Sequence, residues 1–149
     1  MESGVLKLEE FLPYRLARAA EAVSIDFSRI YRDKHGLSRP EWRVLATLAQ
    51  FGRTTATEIG AHAAMHQTKV SRAVFALEQR KWLTRAADET DRRMEWLLLT
   101  RAGKSRFATL ADLARQYEAQ LLIDLGKSGS AQLLAALDKI EMLRLSRAR

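Results

Sequence analysis

Apolar residues recur near the start of the chain as Leu12, Leu16, Ala20, Val23, Phe27 and Ile30. Steps of three and four place them on one stripe of a helix. Pro13 suits the first turn, where an N–H has no partner to lose, and Gly36 suits the stop. The pattern therefore predicts a helix of about 22 residues, long for a small domain and in need of something to pack against. Ser38-Arg39-Pro40-Glu41 then reads as a capping box with proline in the first turn. It opens a second helix with Val44, Leu45, Leu48 and Phe51 on one side, ended by Gly52. Thr55 and Glu58 repeat the capping box for a short third helix whose Ile59 and Ala63 point inward. After a break near Ala64–His66, a fourth helix is predicted from Gln67 to Lys81. Its inward stripe is Val70, Val74 and Leu77, and Gln67, Thr68, Lys69, Ser71, Arg72 and Gln79 lie on its other faces.

The period then changes. Leu83–Asp88 and Met94–Thr100 read as strands around the polar Glu89-Thr90-Asp91-Arg92-Arg93, a hairpin without an Asn-Gly turn. Thr100 is placed as the N-cap of another long helix with Phe107, Leu110, Ala114, Tyr117, Leu121 and Leu125 on its stripe, stopped at Gly126. A polar linker, Lys127–Ser130, leads to a last helix carrying Leu133, Leu137, Ile140 and Leu143 or Arg144. Two helices joined by a tight junction and followed by a hairpin have the shape of a helix-turn-helix. The fold class expected is mostly α with a small β-hairpin. The terminal helices are too long to bury their stripes on the central unit, and a symmetric dimer is the commonest remedy.

Composition narrows the chemistry. The chain has 149 residues, fitting one domain, with a net charge of +7 and no cysteine. Disulfides, thiolate catalysis and Cys-ligated zinc are thereby excluded. No apolar run approaches the ~20 residues of a membrane span, and no leader opens the chain, so a cytoplasmic protein with no membrane partner is expected. Charge is uneven: residues 53–106 hold eleven basic and six acidic side chains, whereas 1–40 and 107–149 each exceed neutrality by one. A solvated basic face would give the same count, but a footprint confined to the helix-turn-helix and hairpin points to nucleic acid. The side chains of the fourth helix are donors and acceptors able to read base edges in a major groove, and an arginine-bearing hairpin tip fits a minor groove.

Catalytic motifs are missing. There is no G-x-S-x-G and no pair of inward carboxylates on one stripe, so an enzyme is not expected and no cofactor is implied. Glu58, His62 and His66 have the four-residue spacing of metal ligands on a continuous helix. The predicted turn separates the two histidines, so no metal site is assigned. Gly126-Lys127-Ser128 looks like the end of a phosphate loop, but Leu121 stands where its first glycine belongs.

Three stretches resemble the MarR family of winged-helix regulators: Glu41-Trp42-Arg43-Val44-Leu45; Thr68-Lys69-Val70-Ser71-Arg72-Ala73-Val74 with Leu77-Glu78; and Asp88-x-x-Asp91-Arg92-Arg93 followed by Leu99-Thr100-x-x-Gly103. The last is the most specific, since it matches the family's wing signature. The resemblance implies one domain over 1–149, with a winged helix-turn-helix lobe at 38–103 and dimerisation helices at 1–36 and 104–149. It implies a homodimeric, ligand-responsive repressor on double-stranded DNA with a pseudo-palindromic operator. His66, Gln67, Thr68, Lys69, Ser71 and Arg72 would enter the major groove. Arg93 would enter the minor groove with Asp91 holding its guanidinium and Arg92 on phosphate; Arg53, Thr55 and Arg85 are further phosphate candidates. A small aromatic or phenolic effector would sit between lobe and dimerisation helices, with Arg15 for a carboxylate and Tyr31 and Trp42 for a ring. The absent cysteines exclude the family's thiol-based peroxide sensing. Two positions depart from the pattern: Gly60 and Ala64 exchange the usual order of Ala and Gly around the turn, and Lys81 stands where glycine often precedes the first strand. The competing expectation is a small-molecule- or metal-binding accessory protein that does not bind DNA.

Overall fold

The computed structural model describes residues 4–147. Five helices and one hairpin follow in order: α1 (Leu12–His35), α2 (Arg39–Phe51), α3 (Ala56–Ala63), α4 (Gln67–Gln79), β1 (Leu83–Ala87), β2 (Glu95–Leu99) and α5 (Arg101–Arg147). Both predicted capping boxes form. Ser38 accepts from the Glu41 N–H while the Glu41 carboxylate accepts from the Ser38 N–H, and Thr55 and Glu58 do the same. Each box satisfies two N–H groups that a helix start leaves without partners. Gly36 closes α1 in a left-handed conformation.

Leu45, Leu48, Ile59, Val70, Leu77, Leu83 and Leu97 are buried together, drawn from α2, α3, α4 and both strands. Each contributes on the order of 1.5–3 kcal/mol of apolar burial. Strand register pairs Leu83 with Leu99 and Ala87 with Glu95. Periodicity did not anticipate a third rung: Thr54 and Leu97 exchange backbone hydrogen bonds of 3.2 and 2.8 Å, which anchors the α2–α3 connection to the wing strand.

Three local expectations are corrected. Phe51 lies on the apolar stripe of α2 yet is half exposed, because at the helix end its neighbour is the His62 ring, edge-on at 4.5 Å, rather than the core. Helix α4 stops at Gln79, two residues early, because Lys81 turns into the left-handed region (φ 62°) and its N–H bonds the Glu78 carbonyl. The expected linker at 127–130 is helical. The backbone departs from helix only at Gly126 (φ 77°), and the Ser130 hydroxyl donates to the Leu122 carbonyl at 2.9 Å across the break.

The chain divides into two units, residues 1–110 and 111–149. In the first, α1 meets α2 along its middle and last turns: Arg39 makes a two-pronged ion pair with Glu21 (2.8 and 2.7 Å), and Tyr31 stacks on Trp42 at 5.6 Å. Leu12, Val23 and Ile25 remain exposed. In the second unit, Ile123, Leu134, Met142 and Leu143 are exposed along a helix with no apolar span long enough to cross a membrane.

Candidate nucleic-acid interface

Helix α4 turns its Val70, Ala73, Val74 and Leu77 into the core. The 100° advance per residue leaves Thr68, Arg72 and Gln79 on the opposite face, with Lys69 and Ser71 flanking them, and all five are open to solvent. The turn before it is built from Ala64, left-handed at φ 52°. Gly60 faces that turn from α3. A Cβ there would displace the end of the Gln67 side chain and lie 3.1 Å from the Met65 carbonyl, so the small residue stands at the close approach rather than at the bend.

His66 is the N-cap of α4. Its Nδ1 accepts from the Thr68 N–H at 3.2 Å, so the residue expected at a base edge is engaged in starting the helix. The Gln67 amide reaches back to the Ala56 carbonyl at 3.4 Å. His62, four residues earlier, lies beyond the Ala64 turn and packs on Phe51, and Glu58 is held by Thr54 and Thr55. Among the described residues no cluster of His, Asp and Glu is placed to hold a metal ion.

The wing is organised by Asp88. Its carboxylate accepts from the Trp96 indole N–H (2.8 Å), the Asp91 N–H (2.9 Å), and the Thr90 hydroxyl and N–H (2.8 and 3.2 Å). These donors, the Trp96 indole foremost, hold the Asp88 carboxyl far below the usual carboxylate range. Trp96 is itself covered by Arg53, whose guanidinium lies 4.2 Å from the indole centroid. The expected clamp of Asp91 on the Arg93 guanidinium is replaced by a backbone contact: Asp91 accepts from the Arg93 N–H at 3.0 Å. Two residues apart in a tight turn, the short carboxylate reaches the amide first. Arg92 and Arg93 are exposed at the tip.

Arg85 does not stand ready for a phosphate. It bonds Glu78 of α4 at 2.9 Å and Glu95 of β2 at 2.8 Å, tying α4 to the wing. Thr55 is engaged as the N-cap of α3. Between α3, α4 and the wing lies a groove of about 490 Å³, bordered by Thr55, Ser71, Arg85 and Arg93.

Sequence reasoning passed over Arg80. Its guanidinium donates to the carbonyls of His35 (2.9 Å) and Gly36 (2.6 Å), lies near the largely buried Glu41 (4.0 Å), and stacks on Trp82. It thus ties the end of α1 to the end of α4. Only separation along the chain hid it.

The Arg15–Tyr31–Trp42 set does not come together within the chain. Tyr31 is buried against Phe27 and Trp42, and Phe107 stacks on Trp42 at 6.0 Å, so the aromatics pack on one another. Burial raises the Tyr31 hydroxyl above its ordinary pKa. Arg15 is exposed, sixteen residues earlier on the same unbroken helix, about 24 Å away.

Comparison with known proteins is consistent with this geometry. The family model for the MarR family matches residues 35–94. The HTH-type transcriptional repressor IacR of Pseudomonas putida is 25% identical over 114 residues, covering 76% of this chain and 68% of that protein. Among solved structures, the transcriptional repressor CouR bound to a 23-mer DNA duplex is 30% identical, with a TM-score of 0.79 over 93% of this chain and 99% of that one. A MarR family transcriptional regulator from Silicibacter pomeroyi DSS-3 is 29% identical, with a TM-score of 0.81 over 93% and 98%.

Proposed function

The chain belongs to the MarR family of transcriptional regulators, and from that premise we propose that it binds a pseudo-palindromic operator in double-stranded DNA as a homodimer. The protein is a regulator and not an enzyme. One observation carries the DNA reading: the exposed face of α4 and the arginine-tipped wing are held in one frame by Arg85, bonded to Glu78 and to Glu95. A helix and a hairpin fixed to each other can address adjacent grooves together. Thr68, Lys69, Ser71 and Arg72 then meet base edges and phosphates of the major groove, Arg93 enters the minor groove, and Arg92 and Arg53 meet phosphate. His66 and Thr55 support the reading helices from their caps. That a structural relative is a repressor bound to duplex DNA supports the same assignment.

Dimerisation is proposed on the exposed apolar side chains of the terminal segments, which include Leu12, Ile123, Leu134 and Met142. Light scattering at micromolar concentration is expected to give twice the chain mass, and a monomer would refute it. A small aromatic acid as effector is proposed for the cleft of about 440 Å³ lined by Leu48, Leu98, Leu99 and Phe107, with Arg53 and Lys104 at its rim. Occupancy would favour a dimer whose recognition helices no longer match the half-site spacing. Saturable thermal stabilisation by hydroxybenzoates, weakened by Lys104→Gln, tests that site.

The test of DNA binding is its salt dependence. Release of counterions from several phosphates makes affinity for a duplex fall steeply between low and moderate salt. Binding that is absent or indifferent to salt would overturn the reading in favour of an accessory protein that never touches DNA.

A further inference from the structure

The outer face of α4 is not wholly polar. Thr68, Arg72 and Gln79 leave one gap in a ridge of four-three-four spacing, and the residue that fills it is Phe75, 57% exposed. It stands opposite the buried Val70–Val74–Leu77 stripe, at the centre of the outer face, one turn beyond Ser71 and Arg72. The core does not use it: the phenyl ring is set in water among the side chains assigned above to the major groove.

We propose that Phe75 is a specificity-determining residue that reads the C5-methyl group of a thymine in each half-site. The inference rests on the DNA-binding reading of α4. In the major groove the edges of the bases present hydrogen-bond donors, acceptors and one apolar group, the thymine methyl. A ring on the same ridge as Thr68 and Arg72 is carried into that groove with them and has one apolar partner there. A protein partner is a poorer match. Lys69 and Arg72 are exposed cations on the same helix as Phe75, and a protein seated on the ring would have to cover them, whereas DNA neutralises them.

The experiment begins with a duplex selected from a random-sequence library by the full-length protein itself. Each thymine in it is then replaced singly by deoxyuridine, which retains every hydrogen-bonding group and lacks only the methyl. Binding is titrated for the wild type, Phe75→Ala and Phe75→Leu. The expected result is one sensitive thymine in each half-site, with a loss of about fourfold, equivalent to the ~0.8 kcal/mol of one buried methyl. That loss vanishes in Phe75→Ala and persists in Phe75→Leu. Circular dichroism of Phe75→Ala is expected to match the wild type, since alanine favours helix. If the wild type binds the duplex but no thymine is sensitive, or if the sensitivity survives in Phe75→Ala, the inference is overturned and the DNA-binding reading stands. If no duplex is enriched at all, both fall together.

Discussion

The indole N–H of Trp96 donates to Oδ1 of Asp88 at 2.8 Å, so the second strand of the hairpin holds the residue that shapes its own turn. Asp88 in turn fixes Thr90 and Asp91, and Asp91 fixes the Arg93 backbone. The wing therefore keeps its form without the Asn-Gly sequence that short hairpins favour. Trp96→Phe removes one donor and keeps the ring under Arg53. It is expected to weaken duplex binding several-fold while near-native helix content persists in circular dichroism; unchanged affinity would show that the turn is ordered by other means.

Acid should weaken this and two other carboxylate contacts. Asp88, Glu58 and Glu21 are all held below their ordinary carboxyl values, by the Trp96 indole, the Thr54 hydroxyl and Arg39 respectively as the leading causes. Carboxyls lowered on folding stabilise the native state fully above their ordinary values and lose that contribution as pH falls through the folded ones. Stability measured by denaturant titration is thus expected to decline below about pH 4. Asp88→Asn should flatten part of the decline; an unaltered acid profile in that variant would remove Asp88 from the account.

Arg93→Ala is expected to cost operator binding about 1–3 kcal/mol, the value of one good groove contact, with helix content and association state unchanged. A mobility-shift titration that finds equal affinity would place Arg93 outside the groove.

Arg80→Met keeps the stem over Trp82 and deletes the donors to the His35 and Gly36 carbonyls. About 2 kcal/mol of stability should be lost in chemical denaturation, as for charged hydrogen bonds to backbone. A loss within experimental error would make Arg80 a surface residue.

Two backbone substitutions should act in opposite directions. A Cβ on Gly103 would run into the Trp82 carbonyl, a backbone group that cannot step aside, so Gly103→Ala should lower the melting temperature markedly. Ala64→Gly relieves a left-handed alanine and should gain about 1 kcal/mol. Differential scanning calorimetry reads both, and equal melting temperatures would contradict the packing described.

Much of this fold is local and legible in the order of residues alone. Ser38 with Glu41, and Thr55 with Glu58, announce their helices because the capping groups lie three residues apart, within reach of side-chain geometry alone. The 3.6-residue spacing of Val70, Val74 and Leu77 dictates which face of α4 is inward and so which side chains are offered outward. The charge excess of 53–106 located the basic lobe in the same way, since charge needs no fold to be counted.

Tertiary structure alone decided how those side chains are spent. Arg85, a phosphate candidate by type and position, is drawn to Glu78 and Glu95 because folding brings α4 and β2 to either side of it. Arg80 finds carbonyls forty-four and forty-five residues away, and Thr54 becomes a rung of the sheet. Arg15 and Tyr31 could be grouped by chemistry, yet the rigidity of one helix keeps them about 24 Å apart. Short-range patterns fix which elements form and which way they face. Partners distant in sequence are chosen by packing, which no periodicity encodes.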